Sequence, residues 1–172
     1  EDKADKKKMT VAEFANKRPA PQAALSLSAN DLASMPLDQL KPHIAALLPA
    51  KATDVQINPV INRLTVDGIV LDQENRDILL LRLAPAAARL TVSLRIDPNA
   101  LVAALRAELR HEDLEPQMLH PFLIGPQHRL FIGMPAKASD DEITKAAIVA
   151  SQYMASPELT SVSRLPETKD GK

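Results

Sequence analysis

Four histidines and several clusters of acids are the residues in this chain with the types and spacing to do chemistry, and metal binding is what they would do. His111, followed by Glu112, Asp113 and Glu115, offers imidazole and carboxylate donors in one short stretch. The spacing argues against a site: no second histidine falls four residues away on a helical face, and no zinc-type ligand pattern occurs. The simpler reading is a charged helix end, with His111 favourably placed at the negative terminus of the helix dipole. His120 and His128 flank an expected hairpin and would approach each other across it. Two ligands without a nearby third make a poor site, so they read as surface or interface histidines. Asp72, Glu74 and Asp77 crowd a stretch expected to be a loop between strands, where the chemistry would be calcium binding. The stretch lacks the glycine and closing glutamate of an EF-hand, which leaves a solvated turn. Ser139 precedes acids and not a nucleophile elbow; helix capping accounts for it. Four glycines give no phosphate cradle. No catalytic residue, metal ligand or cofactor is assigned, and the protein is expected not to be an enzyme.

Composition narrows the partner. Aromatics make up 2% of the chain, too few to stack bases or sugars. A net charge of −1 supplies no field toward polyanions or anionic lipid. Nucleic acid is therefore not an expected partner. No apolar run approaches the roughly 20 residues that span a bilayer, so this segment is not expected to insert directly into a membrane. The absence of cysteine excludes disulfides and thiolate chemistry. The chain begins at Glu1 and not at methionine, which fits removal of a preceding segment, an export signal among the options. The compartment, bacterial cytoplasm or periplasm, stays open. What is left as partner is another protein or an extended peptide segment, a second copy of the chain included.

The elements that would position such a surface follow from patterning. Residues 1–28 read as a charged, proline-containing tail carrying a weakly amphipathic patch at Val11–Phe14, residues 29–165 as one domain, and 166–172 as a second tail. A helix is expected after Pro36, with Leu37, Leu40, Ile44, Leu47 and Leu48 as its stripe and Pro42 kinking or splitting it. Val55–Ile57 reads as an edge or pre-hairpin strand before Pro59. Asp67-Gly68, between Leu64-Thr65-Val66 and Ile69-Val70-Leu71, is the strongest hairpin signal. Ile78–Leu83 and Arg89–Ile96 alternate like half-buried strands, and the five residues Ala84–Ala88 between them are too few for a crossover, which predicts an antiparallel pair. Asp97 and Pro98 then open a helix with Leu101, Val102, Leu105 and Leu109 at helical spacing. Phe122–Ile124 and Leu130–Ile132 flank Gly125-Pro126-Gln127-His128 as a second hairpin. Ser139–Glu142 forms a capping box for a helix to Met154, and Leu159–Leu165 reads as a strand returning to the sheet edge. No repeat at a fixed period is visible.

The resulting class is α+β: a mostly antiparallel sheet with about three helices, in the order α-β-β-β-α-β-β-α, the helices on one face. This order resembles the fold of class I type III secretion chaperones and the related YbjN-like family. The resemblance is carried by Leu64–Leu71, Ile78–Leu83, Arg89–Ile96, Pro98–Leu114, Pro121–Met134 and Asp140–Met154, and covers roughly residues 36–156. It implies a non-catalytic, protein-binding secretion chaperone, with a homodimer as its expected assembly. The competing expectation is a periplasmic accessory domain of an envelope or secretion assembly, tethered through residues 1–28. The partner-binding patch is placed on the solvated sheet face, at Arg63, Arg82, Thr91, Ser93 and Arg95, with Thr65 extending it. Exposed edges at Val55–Ile57 or Leu159–Val162 would accept an added strand.

Overall fold

The structure, a computed structural model, describes residues 21–124 and 127–167. The expectations for residues 1–20, including Val11–Phe14, for Gly125-Pro126 and for residues 168–172 lie outside the described residues. The chain opens with α1 (Ala29–Ser34), where the Ser28 hydroxyl accepts from the Asp31 amide at 3.1 Å. Helix α2 (Leu37–Ala45) starts after Pro36 and runs through Pro42 without splitting. Pro42 lies one turn from the helix end, so the loss of its amide affects few bonds.

Strands β1 (Thr53–Asn58) and β2 (Arg63–Val70) pair antiparallel from Thr53↔Gly68 to Asn58↔Arg63. The turn between them is residues 59–62, not Asp67-Gly68. The Asn58 side-chain oxygen accepts from the Val60 amide at 3.1 Å, and Asn62 takes φ 54°, the left-handed region asparagine tolerates. Asp67 and Gly68 lie inside β2, where the glycine serves close approach. A Cβ on Gly68 would stand 2.8 Å from the Ala52 carbonyl oxygen and 2.7 Å from the Thr53 methyl.

The largest correction follows. Ile78–Leu83 is not a strand but the end of α3 (Gln73–Leu83), capped by Asp72, whose Oδ1 accepts from the Asn75 amide and side chain, both at 2.8 Å. Asn75, Leu79 and Leu83 recur every fourth residue and are buried, while Leu81 is 77% exposed. Leucine, arginine and glutamate favour helix, and Ile78 is the one β-branched residue in the element. A 3₁₀ turn, Ala84–Arg89, leads to β3 (Leu90–Ile96), which lies parallel to β2 from Leu64↔Leu90 to Val70↔Ile96. The helix supplies the crossover that a parallel pair requires.

Helix α4 (Pro98–His111) opens as expected: the Asp97 carboxylate accepts from the Ala100 amide at 3.1 Å, and Leu101, Leu105 and Leu109 are fully buried. Strands β4 (Met118–Ile124) and β5 (Gln127–Met134) form the second expected hairpin. Helix α5 (Asp140–Ser151) starts at Ser139, whose hydroxyl accepts from the Glu142 amide at 3.1 Å, and stops three residues short of Met154. A 3₁₀ turn, Pro157–Leu159, leads into β6 (Thr160–Arg164), parallel to β5 at the sheet edge.

The class is α+β, but the described residues hold two three-stranded mixed sheets, β1-β2-β3 and β4-β5-β6, and five α-helices in place of one sheet and three helices. Once α1 is set aside, each half runs α-β-β-α-β. The chain therefore repeats a topology without repeating a fixed sequence period. Helix α4 contacts β2, β4 and α5, and one aliphatic core runs through both halves, with Leu40, Leu64, Leu79, Leu105, Leu130 and Ile132 among its fully buried members.

Candidate protein interface

In β2 the buried side chains are Leu64, Val66 and Val70, so Arg63, Thr65 and Asp67 turn to the other face. In β3, Leu90 and Leu94 are buried while Thr91, Ser93 and Arg95 are exposed. Parallel pairing aligns Thr65 with Thr91 and Asp67 with Ser93, and antiparallel pairing sets Gln56 beside Thr65 and Asp54 beside Asp67. The outer face of the first sheet thus gathers four of the five expected partner-binding residues. Arg63 reaches across to donate to the Leu90 carbonyl at 3.4 Å, and Arg95 lies 3.7 Å from the Asp97 carboxylate with its side chain 70% exposed.

Arg82 does not join them. On helix α3 its guanidinium is partly buried and donates to the Leu47 carbonyl at 3.3 Å and the Ser156 hydroxyl at 2.8 Å. Burial lowers its pKa from the ordinary arginine value, and the charge of Glu158 pulls it part of the way back. It ties the loop after α2 to the segment after α5, a role a strand at 78–83 would have forbidden. Arg89 is likewise structural, donating to the Leu32 and Met35 carbonyls at 2.8 and 3.0 Å at the end of α1.

Sequence reasoning missed Asp54, Gln56 and Asp67 on the face. Gln56 donates to Asp54 at 2.8 Å, and Asp54 sits directly across from Asp67, so the patch is mixed in charge and not purely basic. The signal was present as parity: Asp67 is four residues from Arg63 and two from Thr65, but its glycine neighbour marked it as a turn residue. Asp72, Glu74 and Asp77 begin helix α3 and do not crowd a loop; Gln73 donates to Asp77 at 2.7 Å. His120 pairs with Phe131 across the second hairpin, while His128 stands opposite Leu123, so the register does not bring the two histidines together.

Among the described residues no group of three or more His, Cys, Asp or Glu side chains is placed to hold a metal ion, and no helix is long and apolar enough to cross a membrane. An apolar groove of about 220 Å³ opens beside β3, lined by Leu80, Leu83, Ala84, Ala87, Leu90 and Val92. Apolar side chains also gather where β1 turns into β2: Val60 is 91% exposed and Ile61 49%. Compared with known proteins, the chain matches no family model and no curated protein.

Proposed function

We propose that this protein is a non-catalytic protein–protein interaction module that meets its partner at the β3 side of the first sheet. The observation that carries the reading is the convergence of Arg63, Thr65, Thr91, Ser93 and Arg95 on one solvated face, next to an open apolar groove. Hydroxyls and guanidinium groups on a rigid sheet are donors fixed in place, and they suit a polypeptide carrying carboxylates or carbonyls. The reading has two concrete versions. One is a secretion-chaperone-like or YbjN-like homodimer that shelters an unfolded segment. Of the elements behind that resemblance, β3, α4, the second hairpin and α5 stand in the structure, and the strand at 78–83 does not. The other is a periplasmic accessory domain of an envelope assembly, held through residues 1–28.

Panning a displayed library of random short peptides against the full chain tests the module. Selection of peptides whose binding falls when Arg63 and Arg95 are both replaced by Glu is the expected result. A library that yields nothing above background, or peptides indifferent to the double variant, would overturn it. Light scattering separates the versions: the chaperone reading requires a dimer that suppresses aggregation of an unfolded client.

A further inference from the structure

The Asp97 amide donates to the Val70 carbonyl at 3.0 Å, which sets the phase of β3. Thr91, Ser93 and Arg95 turn their backbone groups toward β2, and Val92, Leu94 and Ile96 turn theirs away. β3 ends its sheet, and among the described residues no backbone group bonds Val92 or Leu94 on that open side. An unpaired row of this kind is a template for another strand. Protein edges are commonly protected by proline, by an inward charge or by a covering segment; none of the seven residues of β3 is a proline, and its inward set is Leu90, Val92, Leu94 and Ile96. Ile96 is 43% exposed, and the groove beneath the edge is walled by leucines, a valine and two alanines.

Resting on the interaction-module reading, we infer that the open edge of β3 takes up an extended segment of a partner polypeptide by strand addition, the segment alternating apolar residues with acidic ones. Parity dictates the alternation. Side chains of an added strand that align with Leu90, Val92 and Leu94 enter the groove, and those that align with Thr91, Ser93 and Arg95 join the outer face. Charge dictates the acids: at the free border of that face the projecting charge is the Arg95 guanidinium, which among the described residues meets Asp97 at 3.7 Å. A second copy of the chain paired antiparallel about Ser93 would set Thr91 opposite Arg95 and leave that charge unanswered, so a partner with carboxylates fits better.

The probe is a fluorescein-labelled heptapeptide of sequence VEVELEV, with VKVKLKV as its charge-reversed control, titrated into the full chain and followed by fluorescence anisotropy. The acidic peptide binds saturably and the basic one does not. Val92→Lys puts a charge on the inward side of the edge, and Ala87→Phe fills the groove without changing any residue of the strand; each weakens binding by about tenfold or more. Arg95→Glu weakens the acidic peptide about threefold to fivefold and gains the basic one. Circular dichroism confirms that each variant is folded. Absence of binding by the acidic peptide, or affinities unchanged in both Val92→Lys and Ala87→Phe, overturns the inference. If library-selected peptides still depend on Arg63 and Arg95 while Val92→Lys leaves them untouched, the module stands and the edge is not its site. A dimer dissolved by Val92→Lys, with no peptide bound, assigns the edge to a second copy and equally overturns the inference.

Discussion

The two α-β-β-α-β halves share a connectivity and part company after the crossover helix. In the second half the stretch that returns the chain from α5 to its edge strand is packed shut: Gln152, Tyr153, Met154, Ala155 and Ser156 are all buried, and the Tyr153 hydroxyl donates to the Ala104 carbonyl at 3.4 Å. The strand that follows is tied down, because Arg164 donates to the Ala138 carbonyl at 2.6 Å and pairs with Asp140, while the Leu165 side chain lies over Gly133. In the first half the corresponding stretch is Ala84–Arg89, in which Ala84, Pro85, Ala87 and Ala88 are exposed and only Ala86 is buried. Small side chains there leave a groove where the second half has filled its space. A shared topology thus yields two edge strands, one reached through a crossover that is packed shut and one that keeps a groove open beside it. Side-chain volume along the crossover differs between the halves, and so does its local backbone: a six-residue 3₁₀ turn in the first, five irregular residues before a three-residue 3₁₀ turn in the second.

Experiments that break this comparison begin where the halves are joined. Leu105, fully buried on α4, faces a core shared by both, and Leu105→Ala costs about 2–5 kcal/mol while unfolding stays a single transition in urea. Two separate transitions would show that the halves are independent. The paired glycines sharpen the contrast. At Gly68 a Cβ meets the Ala52 carbonyl, which cannot move without the strand, whereas at Gly133 the nearest atoms it meets belong to the Leu165 side chain, at 2.9 Å. Gly68→Ala is therefore expected to cost about 1–3 kcal/mol and Gly133→Ala clearly less, as Leu165 swings aside. Equal losses in chemical denaturation would contradict the difference in what each glycine faces.

Arg82 bridges the loop after α2 and the segment after α5. Arg82→Ala is expected to cost about 1–2 kcal/mol, with Arg82→Lys recovering part of it. The crossover helices offer matched caps. Asp72→Ala and Ser139→Ala each lose about 1 kcal/mol, the former more because Asp72 also holds the Asn75 side chain, which is 2% exposed. Smallest is the outer face. Replacing Thr91 or Ser93 by Ala shifts the unfolding midpoint by no more than about 0.5 kcal/mol, because these side chains are exposed and make no buried contact.

Much of the second half could be read along the chain because its signals are local. Ser139 and Glu142 announce α5, Asp97-Pro98 announces α4, and the strands of the second hairpin pair as expected, although Gln127 and His128 belong to β5 and not to the turn. The first half misleads for equally local reasons. Ile78-Leu79-Leu80-Leu81 is apolar at every position, so it fits a period of two as easily as one of 3.6, and the stripe Asn75-Leu79-Leu83 begins with a polar residue that only tertiary burial reveals. Asp67-Gly68 carries a turn signal, yet glycine also serves where backbone crowds a strand, and the close approach of Ala52 is invisible from sequence neighbours. Once 78–83 is a helix, Arg82 leaves the outer face and β3 becomes parallel. Thr91, Ser93 and Arg95 keep their place because their own alternation put them there.

What the amino-acid order settled by itself is whatever depends on neighbours within a turn or a pleat: the caps, the strand β3 with its polar and apolar sides, the second hairpin, and the aliphatic character of a core with almost no aromatic residue to draw on. What only the tertiary structure decided is which segments meet. Pairing β3 parallel with β2, dividing the strands between two sheets, drawing Arg82 inward and leaving the edge of β3 open all depend on contacts between residues far apart in the chain, whose free energies no local window contains.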